Sequence, residues 1–305
     1  MHLRFYNHER ILGSGPNATV VYSVHRTTSS SVSGFGNVYV YDNLLRAGVE
    51  PDSPIIGRNQ GMGIGSSMAE NSGLTNFQLV FTAGEYNGSS LALQGLFPVA
   101  PLGTVFERAI TGGTGKFRLA RGYLLTSEDG SRRRHYLYIR SKPISLLKIF
   151  FEVASIDYMH LRFYNHERIL GSGPDATVVY AVERTSSTSG AGFGNVIVYD
   201  NLLRAGVEPD SPIIGRNQGM GVGSSLAENS GLTNFQLVFT AGKYNGSSLA
   251  LQGLFPVAPL GTVFERAITG GTGKFRLARG YLLTTEVHST NTTLTGQLDA
   301  FITFR

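Results

Sequence analysis

The sequence predicts an all-β, antiparallel fold made twice over, with either a sandwich or a barrel in each half. Three observations carry that reading. Thirty-nine glycines among 305 residues, mixed with many Thr, Val, Phe and Tyr, favour short extended segments joined by tight turns. Apolar and polar residues alternate with period two in one segment after another, and no stretch reads as a convincing helix. Residues 1–128 recur as residues 159–286 without a gap, so adding 158 converts one numbering to the other. About a dozen positions differ between the copies, among them Asn17 against Asp175, Tyr39 against Ile197 and Glu85 against Lys243. A period this long cannot be a solenoid unit, so each copy is expected to be a complete domain or nearly one.

Within copy one, Leu3 to Ile11 opens with Leu3, Phe5, Asn7 and Glu9 on one face and Arg4, Tyr6 and His8 on the other. Ala18 to Arg26 alternates, Thr27 to Gly34 is a Ser/Thr-rich loop, and Asn37 to Asp42 is a strand ahead of an irregular stretch to Pro54. Ile55 to Gly65 carries Gly57, Gly61, Gly63 and Gly65, the mark of a strand bent by bulges. Asn76 to Thr82, Ser89 to Leu96, Thr104 to Thr111 and Lys116 to Thr126 complete a set of about eight strands. Gly112, Gly113 and Gly115 turn the chain before Phe117, after which Phe117, Leu119, Arg121 and Tyr123 fall on one face.

The copies part after Glu128, giving boundaries of 1–128 for the first domain, 129–158 for a junction and 159–305 for the second domain. Copy two ends in a tail that sets Leu298, Ala300, Ile302 and Phe304 against Asp299, Phe301, Thr303 and Arg305, a closing strand. In copy one either Tyr136 to Ile139 or Ile144 to Val153 takes that place, or an edge stays open. Ile144 to Ala154 is too short for a bilayer and is broken by Lys148 and Glu152, so it reads as a linker rather than a decayed secretion signal. The first residues are expected to enter a strand directly, with neither a basic nor an apolar leader.

Several classes of chemistry are disfavoured. No cysteine means no disulfide framework, thiolate nucleophile or zinc-thiolate site. The net charge of +5 is partly one run, Arg132, Arg133, Arg134, Arg140 and Lys142, which reads as a solvated junction rather than a nucleic-acid site. Gly61 to Gly65 lacks the spacing of a dinucleotide loop, and Gly112 to Phe117 lacks the first glycine and the final Ser/Thr of a phosphate loop. His2 and His8 do not make a metal pair, and no nucleophile elbow is present, so neither a cofactor nor a metal is expected. What the residues offer is Glu9, Arg121 and tyrosines such as Tyr41, Tyr86 and Tyr123, with Glu167, Arg279, Tyr199, Tyr244 and Tyr281 in copy two. If the sheet closes, Glu9 and Arg121 both face its interior. They serve there either as an acid/base pair near neutral pH or as a structural ion pair, unless the arginine extends to solvent from a strand end.

The segments F-Y-N-H-E (Phe5 to Glu9), D-N-L-L (Asp42 to Leu45), G-R-N-Q-G (Gly57 to Gly61), E-Y-N-G-S-S-L (Glu85 to Leu91) and G-G-T-G-K-F-R-L-A-R-G-Y (Gly112 to Tyr123) come in an order that resembles the plant dirigent family. The resemblance implies an eight-stranded antiparallel β-barrel with an internal pocket, assembly into homo-oligomers and secretion to the apoplast. Dirigent proteins of phenylpropanoid and lignan biosynthesis do not oxidise their substrates. They bind two phenoxy radicals made by an external laccase or peroxidase and orient them so that coupling gives one stereoisomer. An acid in the pocket then protonates the quinone methide oxygen.

Carried over by position, Glu9 and Glu167 stand where the family motif usually ends in aspartate, one methylene shorter. Arg121 and Arg279 hold the arginine of A-R-G, and the six tyrosines are expected to meet the substrate. Lys116 and Lys274 invert a charge where lignan-forming relatives often carry aspartate, Leu96 and Phe97 replace a common arginine and asparagine, and Phe106 replaces an arginine. Asn17, Asn87, Asn245 and Asn291 lie in N-x-S/T sequons, which suits a secreted protein. Two alternatives stand beside stereodirection: a non-catalytic wall or defence barrel, and a cyclase or dehydratase using Glu9 as acid. The junction also fits two neighbouring genes merged into one chain.

Overall fold

The computed structural model describes residues 2–10, 19–25, 34–97, 101–117, 120–129, 132–140, 157–183, 195–223, 230–256 and 258–304. The first sheet holds β1 (His2–His8), β2 (Val20–Val24), β3 (Val38–Arg46), β4 (Ile55–Gly65), β5 (Gly73–Phe81), β6 (Ser90–Leu96), β7 (Val105–Thr114), β8 (Arg121–Asp129) and β9 (Arg132–Arg140). The second holds β10 (Asp157–Arg168), β11 (Val178–Val182), β12 (Val196–Arg204), β13 (Ile213–Gly223), β14 (Ser230–Phe239), β15 (Ser248–Pro256), β16 (Val263–Thr272), β17 (Ala278–Ser289) and β18 (Thr293–Phe304). Every described pairing is antiparallel, and each sheet runs as a meander that returns on itself because β1 pairs with β3 and β10 with β12. Eight strands thus form a ring in each copy, while β2 and β11 pair with the first half of β3 and β12. Among the described residues closure leaves no long unpaired edge, and it selects the barrel from the two architectures that periodicity allowed.

Glycine makes the bend possible in β13. A Cβ at Gly215 would lie 2.1 Å from the Val238 carbonyl oxygen, and one at Gly219 would lie 2.4 Å from Phe235 Cβ. Register also shifts where Leu203 meets Gly215 and Arg204 meets Ile213, a bulge at Ile214.

The inward row of each strand in barrel two changes character at one level. Phe163 on β10, Leu203 on β12, Leu237 and Phe239 on β14, Ile268 on β16 and Leu282 on β17 are buried in one apolar cluster. Each such side chain contributes ~1.5–3 kcal/mol relative to exposure. The next inward positions are Asn165, Asn201, Arg266 and Thr284, and they line a cavity. Barrel one has the matching apolar cluster around Phe5, Leu45, Leu79, Phe81, Ile110 and Leu124.

Three expectations change. The strand placed from Lys116 is interrupted, because Gly115–Phe117 and Gly273–Phe275 are single 3-10 turns that bury Phe117 and Phe275 in the cores. In copy two the chain then passes through Leu277 at φ 66, a left-handed conformation unusual for leucine, before β17 begins at Ala278. The turn resets the parity. Ala278 and Leu282 face the core, and Arg279 and Tyr281 face outward. Second, Arg132 to Arg134, placed in the junction, form the start of β9, which closes the first ring against β1 and β8. Third, the stretch after Asp42 is regular as far as Arg46, the end of β3. Ile144 to Val153, the other stretch offered for closure, lies outside the described residues.

Candidate functional site

The polar end of barrel two holds a half-open cavity of about 630 Å³. Glu167 reaches it from the end of β10, held in the ladder opposite Leu294 of β18. Its Oε2 accepts a hydrogen bond from Asn201 Nδ2 at 2.9 Å. Thr177 donates to Asn201 Oδ1, which fixes the amide so that its NH2 faces the carboxyl group. Burial disfavours the charged form and pushes Glu167 up to about 7; the Asn201 hydrogen bond opposes this and the charge of Glu286 adds to it. The proton is therefore retained close to neutral pH, the state a general acid requires.

Arg266 enters from β16, donating from Nη1 to Thr284 Oγ1 at 2.7 Å. Its guanidinium lies 5.9 Å from the ring centroid of Phe235 and 5.7 Å from that of Phe264, while Nε is buried with no protein acceptor. Burial lowers its pKa, offset by the charges of Tyr199 and Glu286. Tyr199 shares a 2.6 Å hydrogen bond with Thr233 Oγ1, and burial raises its hydroxyl well above the ordinary phenol range. Asn217 donates to Asn165 Oδ1 at 3.0 Å and keeps its own Oδ1 buried without a donor. An acid, a guanidinium and amides thus converge on one space walled by Phe235 and Phe264, which suits an aromatic guest bearing oxygen substituents.

Of the residues singled out in the sequence, Glu167 and Tyr199 line this cavity. Their counterparts Glu9 and Tyr41 keep the same neighbours in barrel one, with Asn43 donating to Glu9 at 3.5 Å and Tyr41 sharing a 2.5 Å bond with Thr75. The others lie elsewhere. Arg279 donates to the carbonyl of Ala278 at 2.8 Å and, across the two barrels, to that of Ile110 at 3.2 Å. Burial, joined by repulsion from Arg121, brings the Arg279 guanidinium down to about 10. Neither guanidinium shares the interior with the acid, because the 3-10 turn before each strand resets the parity. Tyr123 lies 4.4 Å beneath the Arg276 guanidinium, and Tyr281 stacks on Phe301 at 4.8 Å on the outer wall. Tyr86 and Tyr244 pack on Phe117 and Phe275 at the apolar ends. Lys116 lies 3.9 Å from Glu85, and Lys274 donates to the Lys243 carbonyl, both outside the cavity. Asn87, Asn245 and Asn291 are exposed, and Asn17 falls outside the described residues.

The sequence reading missed Arg266, Glu286 and the amides Asn165, Asn201 and Asn217. A signal for the first was present: V-F-E-R-A-I sets Phe264, Arg266 and Ile268 on one face, against Val263, Glu265 and Ala267.

A family model described as Dirigent-like protein matches residues 1–139 and again 158–303. The chain belongs to the dirigent family. Dirigent protein 1 of Arabidopsis thaliana is 42% identical over 126 residues, which is 41% of this chain and 68% of that protein. Dirigent protein 21 of the same plant is 43% identical over 124 residues, 41% of this chain and 64% of that protein. Pterocarpan synthase 1 of Glycyrrhiza echinata is 36% identical over 126 residues, 41% of this chain and 65% of that protein. The matches thus span about two thirds of the relatives' own length. The solved structure of the pterocarpan synthase dirigent protein GePTS1 is 31% identical, covers 49% of this chain and 86% of that one, and superposes with a TM-score of 0.44.

Proposed function

We propose that barrel two of this dirigent-family chain directs the stereochemistry of phenoxy-radical coupling, with an external laccase or peroxidase supplying the radicals. The observation that carries the reading is Glu167, a carboxylic acid that lines the cavity beside Arg266 and that burial pushes up to about 7. Two radicals held face to face there form a carbon–carbon bond and leave a quinone methide. Glu167 gives its proton to the quinone methide oxygen, a hydroxyl of the same guest attacks the activated carbon, and the proton that hydroxyl sheds returns to the carboxylate. Arg266, through guanidinium N–H groups other than the one given to Thr284 and the buried Nε, holds an oxygen of the guest, while Phe235 and Phe264 set the ring planes. The reading includes an apoplastic location and homo-oligomeric assembly.

The test is coupling of coniferyl alcohol with laccase, analysed by chiral chromatography with and without the protein. An enantiomeric excess that rises with protein concentration supports the reading, and a racemate at every concentration overturns it. Ring closure of a preformed phenolic without oxidant would move the site to a cyclase or dehydratase reaction.

A further inference from the structure

The two repeats differ at about a dozen positions, and two of those changes fall on a single row of rings. In barrel one His25 stacks on Tyr22 at 4.3 Å, Tyr22 lies 4.8 Å from Tyr39, and Phe97 meets Tyr39 edge to face at 6.0 Å. The strand ladder sets this up. Tyr22 of β2 is opposite Tyr39 of β3, and Tyr39 is opposite Gly63 of β4, so the tyrosines share a face and bare backbone lies beside them. Phe97 covers that backbone, because a Cβ at Gly63 would lie only 3.0 Å from its ring. The hydroxyl of Tyr39 is joined to the Tyr22 and Asn37 side chains by hydrogen bonds, and burial, then the Tyr22 bond, pushes it up to about 12. The central ring is therefore neutral and tied in place.

Barrel two cannot build the row. Glu183 stands for His25 and Ile197 for Tyr39, which removes an outer ring and the central one. Tyr180, Ile197 and Gly221 line the cavity there, so their equivalents Tyr22, Tyr39 and Gly63 face the matching space in barrel one. The floors beneath are alike: Arg108 donates to Thr126 at 2.8 Å as Arg266 does to Thr284 at 2.7 Å, and each first-strand acid has its asparagine donor. The same polar chemistry thus sits under two different mouths, one crossed by packed rings and one bordered by a branched aliphatic chain.

We propose that Tyr39 and Ile197 divide the barrels by guest size, barrel one taking a phenol of one ring and barrel two also admitting a guest of two rings. One ring reaches Glu9 beside the row, whereas a second would overlap Tyr39, a selection made by a clash rather than by a new attraction. Coupling of two guests is then confined to barrel two. This division rests on the reading of the polar ends as sites for oxygen-bearing aromatic guests, and is indifferent to whether a bound guest goes on to react.

The chain has no tryptophan, so one introduced by Tyr22→Trp or by Tyr180→Trp reports on a single barrel of the full-length protein. Each reporter protein is titrated, without oxidant, with coniferyl alcohol and with its two-ring dimer dehydrodiconiferyl alcohol, and quenching gives a dissociation constant for each. The dimer-to-monomer ratio of these constants is expected to be about 10-fold or more higher at Tyr22→Trp than at Tyr180→Trp. Adding Tyr39→Ile to the first protein should lower the ratio to that of barrel two, and adding Ile197→Tyr to the second should raise it. Each swap installs the residue that the other repeat already carries, and circular dichroism melting confirms that the variants are folded. Equal ratios at the two reporters, or folded swaps that leave the ratios unmoved, overturn the size division while barrel two keeps its guest. Silence of both reporters toward both probes overturns the division together with the aromatic guest itself.

Discussion

Barrels one and two share nearly the same 128 residues, yet different segments follow the repeat and close the two rings. In barrel two, β18 pairs with β10 along twelve residues, from Asp157 opposite Phe304 to Arg168 opposite Thr293, so Glu167 lies inside the ladder. In barrel one, β9 pairs with β1 along seven residues and stops at His8, one residue short of Glu9. Asn201 reaches Glu167 at 2.9 Å, and Asn43 reaches Glu9 only at 3.5 Å. Leu294, Gly296 and Leu298 of β18 line the cavity, and at the register of Gly296 barrel one has Arg133 opposite Asn7. In barrel two the same acid on the same strand thus gains part of its surroundings from residues that the repeat does not include.

Removing that segment is the harshest way to break the comparison. Deleting residues 293–305 withdraws Leu298, Ala300 and Ile302 from the core and opens the ring, so barrel two is expected to lose its cooperative melting transition in calorimetry. Next in size is Glu167→Gln, which removes the proton donor. The acid-dependent step should fall by roughly 100-fold or more, the range of general acid catalysis, while Glu9→Gln changes it far less. Equal losses from the two variants would erase the functional distinction between the barrels.

A smaller effect is expected in stability against pH. Glu167 is raised from 4.5 to about 7 by burial, so the folded state binds its proton more tightly than the unfolded state. That stabilisation is fully present below about pH 4.5 and is lost as pH rises to about 7, on the order of 3 kcal/mol at 1.36 kcal/mol per pH unit. Urea melts of barrel two should show this fall, and Glu167→Gln should flatten it. The smallest expected change is Tyr199→Phe, which deletes the hydrogen bond to Thr233 and should cost about 1 kcal/mol in the same melts.

Much of this was legible in the chain. Glycine-marked turns and period-two alternation gave the strands, and alternation from Leu3 to Glu9 put the acid on the inward face because a strand has only two sides. The position of Arg121 and Arg279 was not legible. The F-R-L-A-R run alternates as if continuous, but Phe275 sits in a 3-10 turn and Leu277 at φ 66 switches the parity, which depends on how Phe275 docks into the core. Arg266 showed in the alternation of its strand, but choosing its inward face needed the closed ring.

The sequence by itself determined two copies of an antiparallel β-domain, with an acid on the inner face of each first strand, because local periodicity and turn chemistry are short-range properties. Which strand closes each ring, which arginine shares the acid's space, and which of two equivalent surfaces is covered were decided only in the tertiary structure. Those outcomes depend on contacts between residues far apart in the chain, where identical segments meet different neighbours and take different roles.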